Sequence, residues 1–231
     1  MIFSKKTEKV VMLVDIGSGS LTMSLVLFVK GTLPLFLYTA QKSFVIADRV
    51  DSSKIFENMS SALDEMLTNI SKDGFKHKYW RANRKHISEV LISFSSPWFM
   101  SKTKHIQVKH DKDFIVTEDF LAEVIENEKK SFEKEMGLDL SNDSFELVEK
   151  SILRIRVNGY VLENAIGQST RALDASLSMS IVSKTVMAKV RSSISKHTHL
   201  GEENIIVHTF PVISFKLFIF CPFLFYTFFY F

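Results

Sequence analysis

The sequence predicts an α/β chain in two parts, an α/β core and an inserted α+β unit. Three observations carry this. Residues 10–28 read as an apolar strand, a tight turn and a second apolar strand, with one carboxylate at the bend. Residues 51–70 carry apolar side chains at spacings of three and four. From residue 87 onward the pattern returns to strand, then helix, then strands. Strands followed by a helix that can cover them are the signature of a layered α/β arrangement.

The hairpin carries the chemistry. Glycines at 17 and 19 are expected to adopt backbone conformations closed to other residues and to bring N–H groups close to a ligand. Ser18 and Ser20 add hydroxyls suited to phosphate oxygens. Asp15 ends the first strand, where it can orient a magnesium ion or its waters. Magnesium keeps several waters and takes only one or two carboxylates, so one aspartate beside a phosphate cradle suffices for a share of such a site. Other phosphate loops do not fit. A Walker loop needs Lys-Ser/Thr opening a helix and a dinucleotide fingerprint needs a third glycine opening one, whereas residues 21–28 are strand-like.

Composition narrows the classes. At 231 residues the chain can bury one large core or two small ones. A net charge of +3 does not point to nucleic acid. The single cysteine, Cys221, excludes an intramolecular disulfide framework and suits a reducing, cytoplasmic setting. Residues 1–9 lead into a strand without a secretory cleavage site.

The remaining elements follow in order. Residues 33–38 form a third strand, and Pro34 places it at a sheet edge. The helix over 51–70 presents Ile55, Met59, Leu63, Met66, Leu67 and Ile70 on one face, with acidic and serine residues at its start. Residues 72–86 are basic with interleaved Phe75, Tyr79 and Trp80, and read as a solvated linker at a domain boundary. A strand over 87–94 ends at Ser95-Ser96-Pro97, and a second spans 104–109. Thr117 caps a helix whose Phe120, Leu121, Val124, Ile125, Phe132 and Met136 share a face, with Gly137 as its stop. Residues 145–157 form a long strand, Asn158-Gly159 a hairpin turn, and 160–162 the return. An alternating strand over 173–181, a helix over 183–196 and a strand over 204–209 complete the series. His197 and His199, two apart, fall on different helical faces and read as surface histidines at a helix end.

The residues Asp15-Ile16-Gly17-Ser18-Gly19-Ser20 resemble the first phosphate motif of the actin-like ATPase superfamily, in its bacterial FtsA-like and PilM-like branch. The strand, helix, strand, strand order after residue 87 is similar to the SHS2 domain inserted in those proteins. Residues 158–167, with Ala165 where the family has proline, look like its Gly-Tyr and Asn-Pro-x-Gly stretch. Residues 205–214 resemble the return into the core, so the similarity covers about residues 9–214. The fold implied is an incomplete actin-like, ribonuclease H-like core over 1–71, the linker over 72–86, an SHS2-like insert with its return helix over 87–203, and a return strand over 204–214.

By resemblance, full-length relatives bind ATP with magnesium and tie a cell-division ring or a type IV pilus assembly machine to the inner membrane face. Asp15 would position magnesium, and Gly17, Ser18, Gly19 and Ser20 would hold phosphates. Some relatives carry lysine where Thr22 stands, which removes one phosphate contact here. The SHS2-like domain implies protein partners from division or pilus assembly, leaves room for self-association and peripheral membrane contact, and gives no reason to expect nucleic acid. The family's second Asp-x-Gly-Gly hairpin and its Gly-Gly adenosine stretch do not occur in this sequence, so the chain reads as inactive in ATP hydrolysis. A protein-interaction module without nucleotide, or a short membrane-attached scaffold, is the competing reading. Residues 215–231 are apolar all round, interrupted by Pro222, with seven aromatics among the last nine residues. They read as a truncated or frame-shifted end, against the alternative of a tail anchor.

Overall fold

In the computed structural model, residues 8–44, 52–76, 86–136 and 145–214 are described. The chain divides into two compact units, one from residues up to Trp98 together with Lys184–His208, the other from Phe99–Ser183 with the residues from Thr209.

The first unit is a five-stranded sheet. Strands β1 (Glu8–Ile16), β2 (Ser20–Val29), β3 (Leu35–Ser43), β4 (Glu89–Phe94) and β9 (Ile205–Thr209) lie in the order β3-β2-β1-β4-β9. The β1–β2 and β2–β3 pairs are antiparallel and β1–β4 is parallel. β3 is an edge, and it begins at Leu35, one residue past Pro34, which has no N–H to give to a ladder. Along β1, Val10, Met12, Val14 and Ile16 are all buried and share one face, as strand periodicity requires.

Helix α1 (Ser52–Asp73) covers that face. Its Ile55, Met59, Leu63, Met66, Leu67 and Ile70 are all buried, and Lys42 on β3 pairs with its Glu65. Helix α2 (Glu118–Met136) belongs to the second unit, and α3 (Lys184–Thr198) packs on α1 with Val186, Met187, Val190 and Ile194 buried.

Asp64 clasps the two helices of the first unit, accepting from Lys189 Nζ at 2.6 Å and from Ser193 Oγ at 2.8 Å. Partial burial pushes its carboxyl up, but the hydrogen bonds from Lys189 and Ser193, with the charges of Lys189 and His197, outweigh this and hold it below the usual value. A carboxylate held low when folded adds stability above its unfolded value and loses it as pH falls through the lowered one. Since 49% of the side chain is exposed, Asp64→Ala is expected to cost only about 1 kcal/mol in urea denaturation at neutral pH. The gap to the parent protein should narrow at about pH 3.

The second unit is an antiparallel sheet in the order β5-β8-β6-β7, from β5 (Phe99–Ile115), β6 (Phe145–Val157), β7 (Tyr160–Leu162) and β8 (Ser169–Ser183). Asn158 and Gly159 both have positive φ, 50° and 87°, which gives the tight β6–β7 turn the twist of its strands. Thr117 Oγ1 accepts from Phe120 N–H at 3.1 Å and caps α2. Helix α2 lies on a core of Ile106, Val116, Phe132, Ile155, Val157, Leu173, Leu177, Met179 and Ile181. Lys102 and Lys104 of β5 both donate to Glu135 of α2, and these bonds, Lys102 first, pull its carboxyl down to about 2.

The structure departs from the sequence reading in several places. The strand expected over 104–109 runs from Phe99 to Ile115, because β8 pairs with it along most of that length. The strand over 87–94 and the helix over 183–196, placed by the sequence in the insert, belong to the first unit: β4 is hydrogen-bonded to β1 and α3 packs on α1. Lys72 to Lys76 continue α1 and a 3₁₀ turn rather than a linker. Residues 77–85, Asp51, Gly137 and the aromatic stretch 215–231 with Cys221 and Pro222 lie outside the described residues. Residues 210–214 are helical, where the sequence suggested only a chain return. Among the described residues no helix is long and apolar enough to cross a membrane.

Candidate functional site

The turn between β1 and β2 is short because both strands run to its edge. Gly17 N–H donates to Ser20 O at 2.8 Å, and Phe44 N–H to Gly19 O at 2.9 Å. Ser95 N–H donates to Ile16 O at 2.9 Å, and the Trp98 indole Nε1–H to Gly17 O at 2.7 Å. The tip carbonyls of Gly17 and Gly19 are thus engaged by neighbouring segments. Among the described residues nothing accepts from the Ser18 or Gly19 N–H, or from the Ser18 or Ser20 hydroxyl. Ser18 is exposed, while Gly17, Gly19 and Ser20 are half-buried.

The expectation that Gly17 and Gly19 occupy the left-handed region is not met, since among the described glycines positive φ is confined to Gly31, Gly159 and Gly167. At Gly17 the requirement is space instead. A Cβ there would stand 3.0 Å from the Ser20 carbonyl oxygen that closes the turn.

Strand register places a polar row at the base of this turn. Asp15 is opposite Thr22 on β2 and Ser93 on β4, and Thr22 is opposite Gln41 on β3. Gln41, Thr22, Asp15 and Ser93 therefore lie side by side across four strands, on the face away from Met12 and Leu25, where α1 packs. Asp15 Oδ1 and Ser93 Oγ are both buried without a hydrogen-bond partner. A buried carboxylate oxygen left bare is costly, and a hydrated cation or a phosphate-bound water is what its chemistry accepts. Asp15 is the only carboxylate in the row, and among the described residues no three His, Cys, Asp or Glu side chains are grouped to cage a metal. The donor set fits magnesium only in its usual manner, through waters and a ligand's phosphate oxygens.

Sequence reasoning found Asp15, Gly17, Ser18, Gly19 and Ser20, and the structure brings these five to one turn. It missed Ser93 and Trp98. Ser93 becomes visible only once β4 is paired to β1. Trp98, only 8% exposed, was hidden behind Ser95-Ser96-Pro97, read as a strand terminator. His197 and His199 do not fall on separate faces, because α3 ends at Thr198 and His199 leaves it at φ 58°. Both line a cavity of about 600 Å³ with His86, Ile87, Phe75 and Lys196.

No protein-family model and no curated protein matches the sequence. Among solved structures, a chain of the PilM–PilN type IV pilus biogenesis complex is similar over 82% of this chain and 45% of that one, at 12% identity and a TM-score of 0.47. A Bacteroides thetaiotaomicron VPI-5482 protein of unknown function with an actin-like ATPase fold is similar over 95% of this chain and 58% of its own, at 11% identity and a TM-score of 0.40. The Aquifex aeolicus PPX-GPPA enzyme is similar over 38% and 27%, at 15% identity and a TM-score of 0.26. The chain spans about half the length of the first two. The fold itself is α/β: a mixed sheet with the β1–β2 hairpin at its centre, α1 and α3 packed together, and a second α+β unit inserted after β4.

Proposed function

We propose that the chain is an actin-fold nucleotide-binding protein of the FtsA/PilM type, in which the β1–β2 turn holds phosphates. The observation that carries this is the buried Asp15 Oδ1, without a partner among the described residues, at the foot of a turn whose Ser18 and Gly19 N–H groups and serine hydroxyls have no acceptor among those residues either. In this reading Gly17, Ser18, Gly19 and Ser20 receive the phosphates of ATP, and Asp15 orients the waters of its Mg2+. Bound magnesium would supply charge neutralisation of the phosphate oxygens. The inserted unit, a strand and a helix followed by three strands, is in this reading SHS2-like and offers the surface for protein partners of a division or pilus assembly machine, at the inner membrane face.

One hairpin makes only part of the contacts of a two-hairpin clamp, and each missing charge-assisted hydrogen bond removes roughly 1.5–3 kcal/mol. Calorimetric titration with ATP is therefore expected to show weak, magnesium-dependent binding and no hydrolysis. Asp15→Ala should abolish the magnesium dependence. Binding that is indifferent to both magnesium and Asp15 would remove the hairpin from the reading, and would favour a nucleotide-free interaction module.

A further inference from the structure

The face of the second sheet opposite its α2-covered core carries two arginines, Arg154 and Arg156, side by side with His105. Register places His105 and Arg154 on either side of Ser176, and Gln107 and Arg156 on either side of Asp174. These two neighbouring rows share a face, and His105, Arg154, Arg156, Asp174 and Ser176 line a cavity of about 180 Å³. One oxygen of the carboxylate is taken up, since Gln107 Nε2 donates to Asp174 Oδ1 at 2.8 Å. Neither arginine has an ion-pair partner among the described residues. Arg156 Nε is buried and has no acceptor. A buried donor left bare is unfavourable in the free protein, and a ligand that accepts from it removes the penalty.

We propose that this cavity is a binding site for a phosphomonoester group. Two guanidinium forks and an imidazole around one small space supply more donors, in more directions, than the two oxygens of a carboxylate can accept. The three terminal oxygens of a phosphomonoester match them, and arginine forks bind phosphate in a bidentate manner. Ser176 adds a hydroxyl on the same row. The site lies wholly in the second unit, with no residue in common with the β1–β2 turn.

The test is titration of the full chain at fixed ionic strength with two probes: inorganic phosphate followed by calorimetry, and phosphatidate vesicles followed by co-sedimentation. Saturable binding is expected, weakened about tenfold or more by Arg156→Gln and by the exposed Arg154→Gln. Arg156→Lys, which keeps charge and loses the fork, should restore it only in part. Arg171→Gln serves as the control of equal charge, because Arg171 is exposed and its guanidinium is already paired with Asp113 at 2.6 Å. Binding of free phosphate assigns the group to a soluble ligand, and binding of vesicles alone assigns it to a lipid headgroup. The proposal is overturned if neither probe saturates, if Arg154→Gln and Arg156→Gln leave binding intact, or if Arg171→Gln weakens it equally.

Discussion

Replacing Trp98 by alanine is expected to destabilise the first unit by about 3 kcal/mol, the lower end for truncating a large buried aromatic, because 8% of the side chain remains exposed. The larger consequence is for the turn between β1 and β2. The indole donates to the Gly17 carbonyl, and Trp98 N–H is itself tied back to Ser95 O at 3.1 Å. One ring thus braces the turn from outside the strands that form it. Trp98→Phe separates packing from bonding. It keeps most of the apolar contact but leaves the Gly17 oxygen without its donor, for an expected loss of about 1–2 kcal/mol. Urea denaturation measures both variants, and hydrogen exchange at the Gly17 amide reports on the turn itself. The alanine variant should exchange there much faster than the parent. Full amide protection with Trp98 truncated would show that the turn holds its shape unaided.

What the sequence disclosed and what it concealed divide along the range of the interactions involved. The Asn158-Gly159 turn was legible because positive φ at two successive positions selects those residues locally. The face of α1 was legible because burial recurs at the helical period from Ile55 to Ile70. The allegiance of β4 was not, since a short, mainly apolar strand reads alike whichever sheet receives it, and its partner residues on β1 lie nearly eighty positions earlier. The same long-range pairing concealed Ser93 beside Asp15. Trp98 escaped for a related reason, as its acceptor Gly17 is 81 residues away. In the candidate turn the reason for a glycine at 17 differs from the one the sequence suggested: Gly17 is small because Ser20 O is close, not because its backbone is left-handed. Arg154 and Arg156 alternate outward from a buried strand, a pattern visible in the sequence, but the row they share with Ser176 and Asp174 required the register of β8.

In the second unit, Phe132→Ala is expected to lower stability by about 3–5 kcal/mol. Phe132 is fully buried, and it is the one side chain of α2 buried to that degree among the described residues. Phe120, Leu121, Val124 and Ile125 are only partly covered where they meet the same core. The ring is the most deeply buried apolar attachment of α2 to the sheet among the described residues, and its removal leaves a void lined by strand side chains that collapse little. The ion pairs from Lys102 and Lys104 to Glu135 and Glu128 do not compensate, because pairs at a solvated surface contribute little each. Glu123→Ala, at an exposed position of the same helix, should change stability by no more than about 0.5 kcal/mol. Near-ultraviolet circular dichroism and urea denaturation of the full chain report the difference. If Phe132→Ala unfolds with the midpoint of Glu123→Ala, α2 is held by its half-buried residues and polar contacts, and the core assigned to the second unit is drawn too close to the helix.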